Sequence, residues 1–308
     1  MDTRRVAVID LGSNSFKLLV AQGTHVSRIF EAYEDVRLLG KGGAETIEPE
    51  KFSCGIRAVK KLVGLAREYA PALTAIIGTS VFRTAANAGE FAKSVFENTG
   101  IRLRILSGEE EATGVAAGVA TDALVHDLGR VPAIFDLGGG SLEYIGFGGK
   151  SVRSWQLGAV RLMREFVRDS ESPLPPEVIR KIRMHVKETL SADTNVCVKA
   201  GTPLVFCGGV MAIAHRILAE KSGCALTLFP RKIPALRLEV LMEHLSIRNA
   251  ADRVKSDGVP ATRADIFPVA LAVVLEVASV CGAEELIYSP RNLRYGIASE
   301  LIARLPER

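Results

Sequence analysis

Two short stretches of the chain set an acid against a glycine turn in the same order. The first, "VAVIDLGSNSFKLLV", carries an apolar run into Asp10, a turn through Gly12, Ser13, Asn14 and Ser15, and a second apolar run. The second, "PAIFDLGGGSLEYIG", repeats it with Asp136, then Gly138, Gly139, Gly140 and Ser141, then Leu142 and Glu143. Glycine lets the backbone take positive φ and approach a ligand closely, and successive peptide N–H groups in such a turn form a concavity that holds phosphate oxygens. An acid closing the incoming strand stands beside that anion. There it can hold Mg²⁺, directly or through water, or orient an attacking water. Either turn alone reads equally well as an ordinary glycine hairpin with a solvated Asp. Their repetition favours a phosphate cleft.

A third stretch, "SGEEEATGVAAGVA", adds a candidate base. Ser107 can cap a helix whose third residue is Glu110, a capping box, and acids in a first helical turn meet the helix dipole favourably. Those roles account for Ser107, Glu109 and Glu110 and leave Glu111 free.

The elements that must position these residues alternate between strand and helix patterns, which indicates an α/β protein. Val6–Ile9 and Phe16–Val20 read as strands. "CGIRAVKKLVGLAREY" places Ile56, Val59, Leu62, Val63, Ala66 and Tyr69 on one helical face. "LTAIIG" reads as a strand, and "NAGEFAKSVFENTG" as a helix with Asn87 as N-cap and Gly100 as its stop. The chain repeats its opening move after "TDALVHDLGRVP", so a domain boundary is expected near residue 128. Beyond it, "EVIRKIRMHVKETL" reads as a helix, "TPLVFCGGVMAIAHRI" as strand, glycine turn and helix, and the last fifty residues as helix, strand, helix.

The 308 residues suggest about two domains. Hydrophobic residues at 48% and charged residues at 24% are ordinary for a globular protein and exclude disorder. The net charge of +4 is dispersed, so no nucleic-acid tail is indicated. Cys54, Cys197, Cys207, Cys224 and Cys281 show no paired spacing, which signals neither a disulfide framework nor a zinc site and suits a reducing cytoplasm. The opening apolar run is too short for a signal peptide, and "PVALAVVLEVASV" falls short of the roughly 18 residues needed to span a bilayer. The five histidines lack metal-ligand spacing, and Cys207 reads as a small buried side chain.

The paired acid-and-glycine turns resemble the actin-like, sugar-kinase and heat-shock-chaperone superfamily. That likeness implies two ribonuclease-H-like α/β domains, 1–128 and 129–308, facing each other across a phosphate-binding cleft, with the last helix packing back on the first. More closely, the chain resembles the exopolyphosphatase and guanosine pentaphosphate phosphohydrolase family. The likeness rests on "DLGSNSF" at 10–16, "GTSVFRTAAN" at 78–87, "SGEEEA" at 107–112, "FDLGGGSLE" at 135–143, "LGAVRLMREF" at 157–166 and "YSPRNLRYGI" at 288–297.

This resemblance implies hydrolysis of a terminal phosphoanhydride, of polyphosphate or of guanosine pentaphosphate. Glu111 is then the general base. Arg83, Gly12, Ser13, Asn14 and Ser15 would hold phosphate, as would Gly138, Gly139, Gly140 and Ser141. Asp10, Asp136 and Glu143 would hold Mg²⁺ or another divalent cation, with Asp136 and Glu143 also ordering the water. Longer members continue into a helical C-terminal region, whereas this sequence stops at Arg308, so binding of polyphosphate along an extended channel is expected either to depend on a homodimer or to be weak. Arg153, Arg161, Arg164 and Arg168 read either as a basic lane beside the second turn or as a solvated helix face. Met211 and Ala212 stand where the family often has hydroxyl residues. Two other readings use the same turns: an ATP-dependent sugar or carboxylate kinase, against which stands the water-activating glutamate, and a non-catalytic polyphosphate or alarmone sensor.

Overall fold

The computed structural model describes residues 3–38, 46–146, 151–193, 198 and 201–306. Cys197 lies outside them. By proximity of its backbone the chain divides into two units, Met1–Asp122 with Arg291–Arg308, and Ala123–Pro290. The sequence reading places the division at 128.

The first unit begins with β1 (Arg5–Leu11), β2 (Ser15–Gln22) and β3 (Ser27–Asp35), then α1 (Pro49–Arg67), β4 (Leu73–Gly78), α2 (Ser80–Thr84), α3 (Ala88–Thr99), β5 (Leu103–Ile105) and α4 (Gly108–Ala120). The second contains α5 (Ala123–His126), β6 (Ala133–Leu137), β7 (Leu142–Gly146), β8 (Ser151–Trp155), α6 (Ala159–Phe166), α7 (Pro176–Ala192), β9 (Leu204–Cys207), α8 (Gly209–Lys221), β10 (Lys232–Pro234), α9 (Ala235–Ser246), α10 (Ala250–Asp257), α11 (Phe267–Val280) and β11 (Glu285–Tyr288). The last helix, α12 (Leu293–Ala303), returns to the first unit and packs on α4 and β1.

Each unit is built on one mixed sheet. The first has the order β3-β2-β1-β4-β5, with β1 antiparallel to β2 and parallel to β4. The second has the order β10-β11-β9-β6-β7-β8, with β6 antiparallel to β7 and parallel to β9. The central strands carry apolar, fully buried stretches, Val6–Ile9 in β1 and Leu204–Cys207 in β9, as strands covered on both faces must. One core gathers Ile9, Phe16, Leu62 and Phe91, and the other Phe135, Phe206, Leu241 and Val273. α11 is buried from Phe267 to Ala278, an apolar rod inside the second unit. Among the described residues no helix is long and apolar enough to cross a membrane.

Local signals mostly hold. α3 starts after Asn87 and stops at Gly100, which takes the left-handed φ of 76°. Asn87 makes no side-chain cap, however. Its amide is spent pinning the backbone of Ile47, accepting from the N–H and donating to the carbonyl at 2.9 Å each.

Candidate active site

In the first unit, β1 delivers Asp10 to the turn and β2 sets Lys17 directly opposite it. The turn closes when Gly12 N–H donates to the Ser15 carbonyl at 3.3 Å. Its other carbonyls face the chain that follows β3. Ser13 O accepts from Leu38 N–H, and Asn14 O from Val36 and Arg37 N–H, at 2.9–3.0 Å. The Ser13 N–H finds no acceptor among the described residues. Asp10 Oδ1 is shut off from solvent and has no hydrogen-bond partner among the described residues. Burial pushes its carboxyl above the usual range, and Lys17 and Arg294 pull it back only in part.

The second unit builds the same turn from β6 and β7. Gly138 N–H donates to the Ser141 carbonyl at 2.9 Å. Here the start of α6 takes up the carbonyls: Ala159 N–H donates to Gly138 O, and Val160 and Arg161 N–H to Gly139 O. The Arg161 guanidinium adds a bond to Gly140 O at 3.2 Å. With the carbonyls consumed, the N–H groups of Gly139 and Gly140 are left without an acceptor among the described residues. Backbone donors are rarely left idle in a folded protein. A pair of them on a glycine turn is a site for anion oxygens.

The position opposite the acid differs between the two turns. Where the first unit has Lys17, the second has Glu143, directly across from Asp136. Glu143 is only 2% exposed and accepts from Ser154 Oγ at 2.9 Å. On the other side of Asp136, β9 places Cys207 level with it. Burial first, and then the charges of Asp136 and Glu143, push the Cys207 thiol far above its ordinary value, so no thiolate nucleophile forms there. Just beyond, Gly208 has φ of 89° and ψ of −179°, a conformation essentially reserved for glycine. A Cβ at Gly208 would also run into Asp136 Oδ1.

Glu111 sits in the first turn of α4. Ser107 caps that helix by accepting from Glu110 N–H at 3.1 Å, and the Glu110 carboxylate accepts from Ser107 N–H at 2.8 Å, so the capping box forms. Glu109 and Glu110 face outward, whereas Glu111 is buried. Its partner is Arg83 at the end of α2, whose Nη1 donates to Glu111 Oε2 at 2.6 Å and to Leu106 O at 2.9 Å. The structure thus places Arg83 on Glu111. Nothing in the sequence linked these two residues, which lie 28 positions apart.

Of the four arginines named near the second turn, two have their guanidinium groups engaged by the protein itself. Arg153 on β8 pairs with Asp193 at 3.1 Å, and Arg161 is turned onto Gly140 O. Arg164 and Arg168 follow at the end of α6 and just past it, Arg168 exposed. Met211 is fully buried in the core, which explains an apolar residue there. Ser154 carried no sequence signal, because the five residues of β8 are not strongly alternating.

Which side chains could hold a cation follows from the donors. Asp136 and Glu143 offer hard carboxylate oxygens in the second unit, and Asp10 offers one in the first. Among the described residues no three His, Cys, Asp or Glu side chains cluster as they would around a metal held by protein alone.

Known proteins share this architecture. The Aquifex aeolicus member of the Ppx/GppA family superposes with a TM-score of 0.80 at 22% identity, covering 99% of each chain. An exopolyphosphatase from Cytophaga hutchinsonii gives 0.86 at 21% identity, covering 98% of this chain and 99% of that one. At these identities the likeness establishes the two-domain actin-like fold. Among curated proteins, the guanosine-5'-triphosphate,3'-diphosphate pyrophosphatase of Vibrio cholerae is 27% identical over 311 residues, and that of Vibrio vulnificus 26% over 313. Each match takes in 97% of this chain, which spans 59% of the length of those relatives. The sequence model of the Ppx/GppA phosphatase family matches residues 5–305, end to end across both glycine turns and Glu111, and the chain is a member of that family.

Proposed function

We propose that the chain is a phosphoanhydride hydrolase that releases terminal orthophosphate from inorganic polyphosphate or guanosine pentaphosphate. The observation that carries this reading is the glycine turn of the second unit. Its carbonyls are tied back by α6, and the Gly139 and Gly140 N–H groups are presented without a partner among the described residues. Such donors act on the equatorial oxygens of a phosphoryl group in transfer, where most of the catalytic stabilisation lies. Ser13 N–H offers the same service in the first unit.

Glu111 is assigned the proton. A water attacks the terminal phosphorus, Glu111 accepts its proton as the new O–P bond forms, and the bridging P–O bond breaks. The products are orthophosphate and a substrate one phosphate shorter. A positioned base of this kind contributes about 10²–10⁴-fold in rate. The leaving oxygen belongs to a phosphate, a good leaving group, so no strong general acid is needed there.

The carboxylates fit a small hard cation. Like charges directly opposite on an antiparallel pair repel, and Asp136 and Glu143 are so placed. Mg²⁺ characteristically takes one or two carboxylates and completes its shell with water and substrate phosphates. Asp136 and Glu143 would hold it, with Asp10 as the corresponding carboxylate of the first unit. When bound, the cation supplies neutralisation of the phosphate charge.

The reading is tested by incubating the chain with Mg²⁺ and, separately, long-chain polyphosphate, guanosine pentaphosphate, or ATP with sugars. Free phosphate from either of the first two supports it. A phosphosugar, or binding without product, would overturn it.

A further inference from the structure

In the second unit the side chains of four strands stand in one row across the sheet. β9 places Cys207 level with Asp136 on β6, β7 places Glu143 opposite Asp136, and β8 places Ser154 opposite Glu143. Residues directly opposite in a sheet share a face, so each of these side chains is the next one's neighbour. The matching row of the first unit runs Ile77, Asp10, Lys17 and Tyr33. There the acid has a cation opposite it. In the second unit it has another acid, and two carboxylates so placed push each other aside unless something steers them.

Ser154 is placed to steer. Its hydroxyl has one proton to donate, and that proton goes to Glu143 Oε1 at 2.9 Å. The two oxygens of a carboxylate diverge, so a bond that draws Oε1 toward β8 turns Oε2 away from that strand. Glu143 is buried, which leaves water little chance to compete for the same oxygen. The strand under Ser154 is held on both sides of it. Arg153 pairs with Asp193 at 3.1 Å, and Trp155 is buried with its ring 6.1 Å from that of Tyr144. Ser154 itself is exposed and fills no part of the core. Its hydroxyl makes no other hydrogen bond among the described residues.

We propose that Ser154 is a positioning residue for the hydrolysis, holding the Glu143 carboxylate in the orientation in which Glu143 and Asp136 together take a divalent cation. The inference rests on the cation assignment made above for those two acids. Donors to a ligating carboxylate set its direction, and their loss typically costs about 10–100-fold in metal affinity. A neutral hydroxyl suits this task. It orients the acid and leaves its charge for the cation, whereas a lysine or arginine at 154 would pair with Glu143 and compete for it.

The test compares Ser154→Thr with Ser154→Val. Both side chains are β-branched and suit a strand, but only threonine keeps the hydroxyl. Binding of Mn²⁺ alone to the substrate-free chain, followed by electron paramagnetic resonance, should weaken by about tenfold or more in Ser154→Val and Ser154→Ala and stay within about threefold of wild type in Ser154→Thr. The urea midpoints of the Thr and Val variants should coincide, which assigns the difference to the hydroxyl. The Mg²⁺ concentration for half-maximal phosphate release should follow the same order. Thr and Val variants that bind Mn²⁺ equally well overturn the proposal, and so does a wild type that binds none. Neither result touches the hydrolase reading, which stands or falls on free phosphate released by the wild type.

Discussion

Arg83 Nη1 lies 2.6 Å from Glu111 Oε2, so the arginine assigned to phosphate already holds the carboxylate assigned to water. Nη1 spends both its N–H groups, on Glu111 Oε2 and Leu106 O, which leaves the Nη2 and Nε side of the fork for phosphate oxygens while the carboxylate stays held. Arginine presents a planar fork, whereas lysine is a point charge. Arg83→Lys should therefore keep the charge beside Glu111 but lose the bidentate grip on phosphate. The expected result in steady-state kinetics is a KM raised about tenfold, equivalent to about 1.4 kcal/mol, with kcat within about threefold of wild type. Arg83→Ala should lower kcat as well.

The helix that carries Glu111 is pinned by its neighbour's backbone. α4 and α12 touch where Gly118 meets the Asn292 carbonyl and Gly296 meets the Gly114 carbonyl, and a Cβ at Gly118 or Gly296 would enter those atoms. Overpacking of this kind costs about 1–3 kcal/mol, so Gly118→Ala should lower the urea midpoint and the activity together. Gly64, inside α1, has nothing within 4 Å of the same probe position. Gly64→Ala should instead stabilise by about 0.5–1 kcal/mol through the unfolded chain.

Gly208→Ala addresses the second-unit carboxylates. A side chain there faces both the forbidden backbone conformation and Asp136 Oδ1. A displaced Asp136 holds a cation less well. The Mg²⁺ concentration for half-maximal phosphate release should rise at least about tenfold, an effect of roughly 1.4 kcal/mol, and titration of activity with Mg²⁺ reads it directly. An unchanged Mg²⁺ requirement would remove Asp136 from the cation site.

Stability at low pH should hinge on Asp257, where α8, α9 and α10 meet. Burial pushes its carboxyl up, but hydrogen bonds from His244 at 2.7 Å and Lys221 at 3.1 Å outweigh this, and the net shift is downward. Arg248 faces it from 3.6 Å. A carboxylate lowered on folding contributes stability above its unfolded value of about 3.9 and loses it as pH falls through the lower folded value. Urea midpoints measured from neutral pH downward should drop across that acid range, and Asp257→Asn should flatten that part of the curve.

What the sequence revealed, and what it hid, follows from the range of each signal. Short-range chemistry was legible. The two acid-and-glycine turns, the capping box at Ser107 and the stop at Gly100 all appear where their few residues indicate. Pairings across distant segments were not. No local pattern tells Arg83 that Glu111 will lie beside it, or Asn87 that its amide will be drawn away to Ile47. Strand β3 was missed because Ser27–Asp35 mixes exposed polar and apolar residues on an edge, without the alternation that marks a half-buried strand. α9 was missed for the opposite reason: apolar residues on both its core and outer faces blur the helical period.

Release of orthophosphate by Glu111→Gln is the most direct measurement of the account. Glutamine keeps the shape and can still receive the Arg83 hydrogen bond through its carbonyl oxygen, but it cannot take a proton from water. The account predicts an unchanged thermal midpoint, retained binding of polyphosphate or guanosine pentaphosphate, and phosphate release slowed by about 10²-fold or more. Turnover near the wild-type rate in a folded Glu111→Gln protein would contradict it.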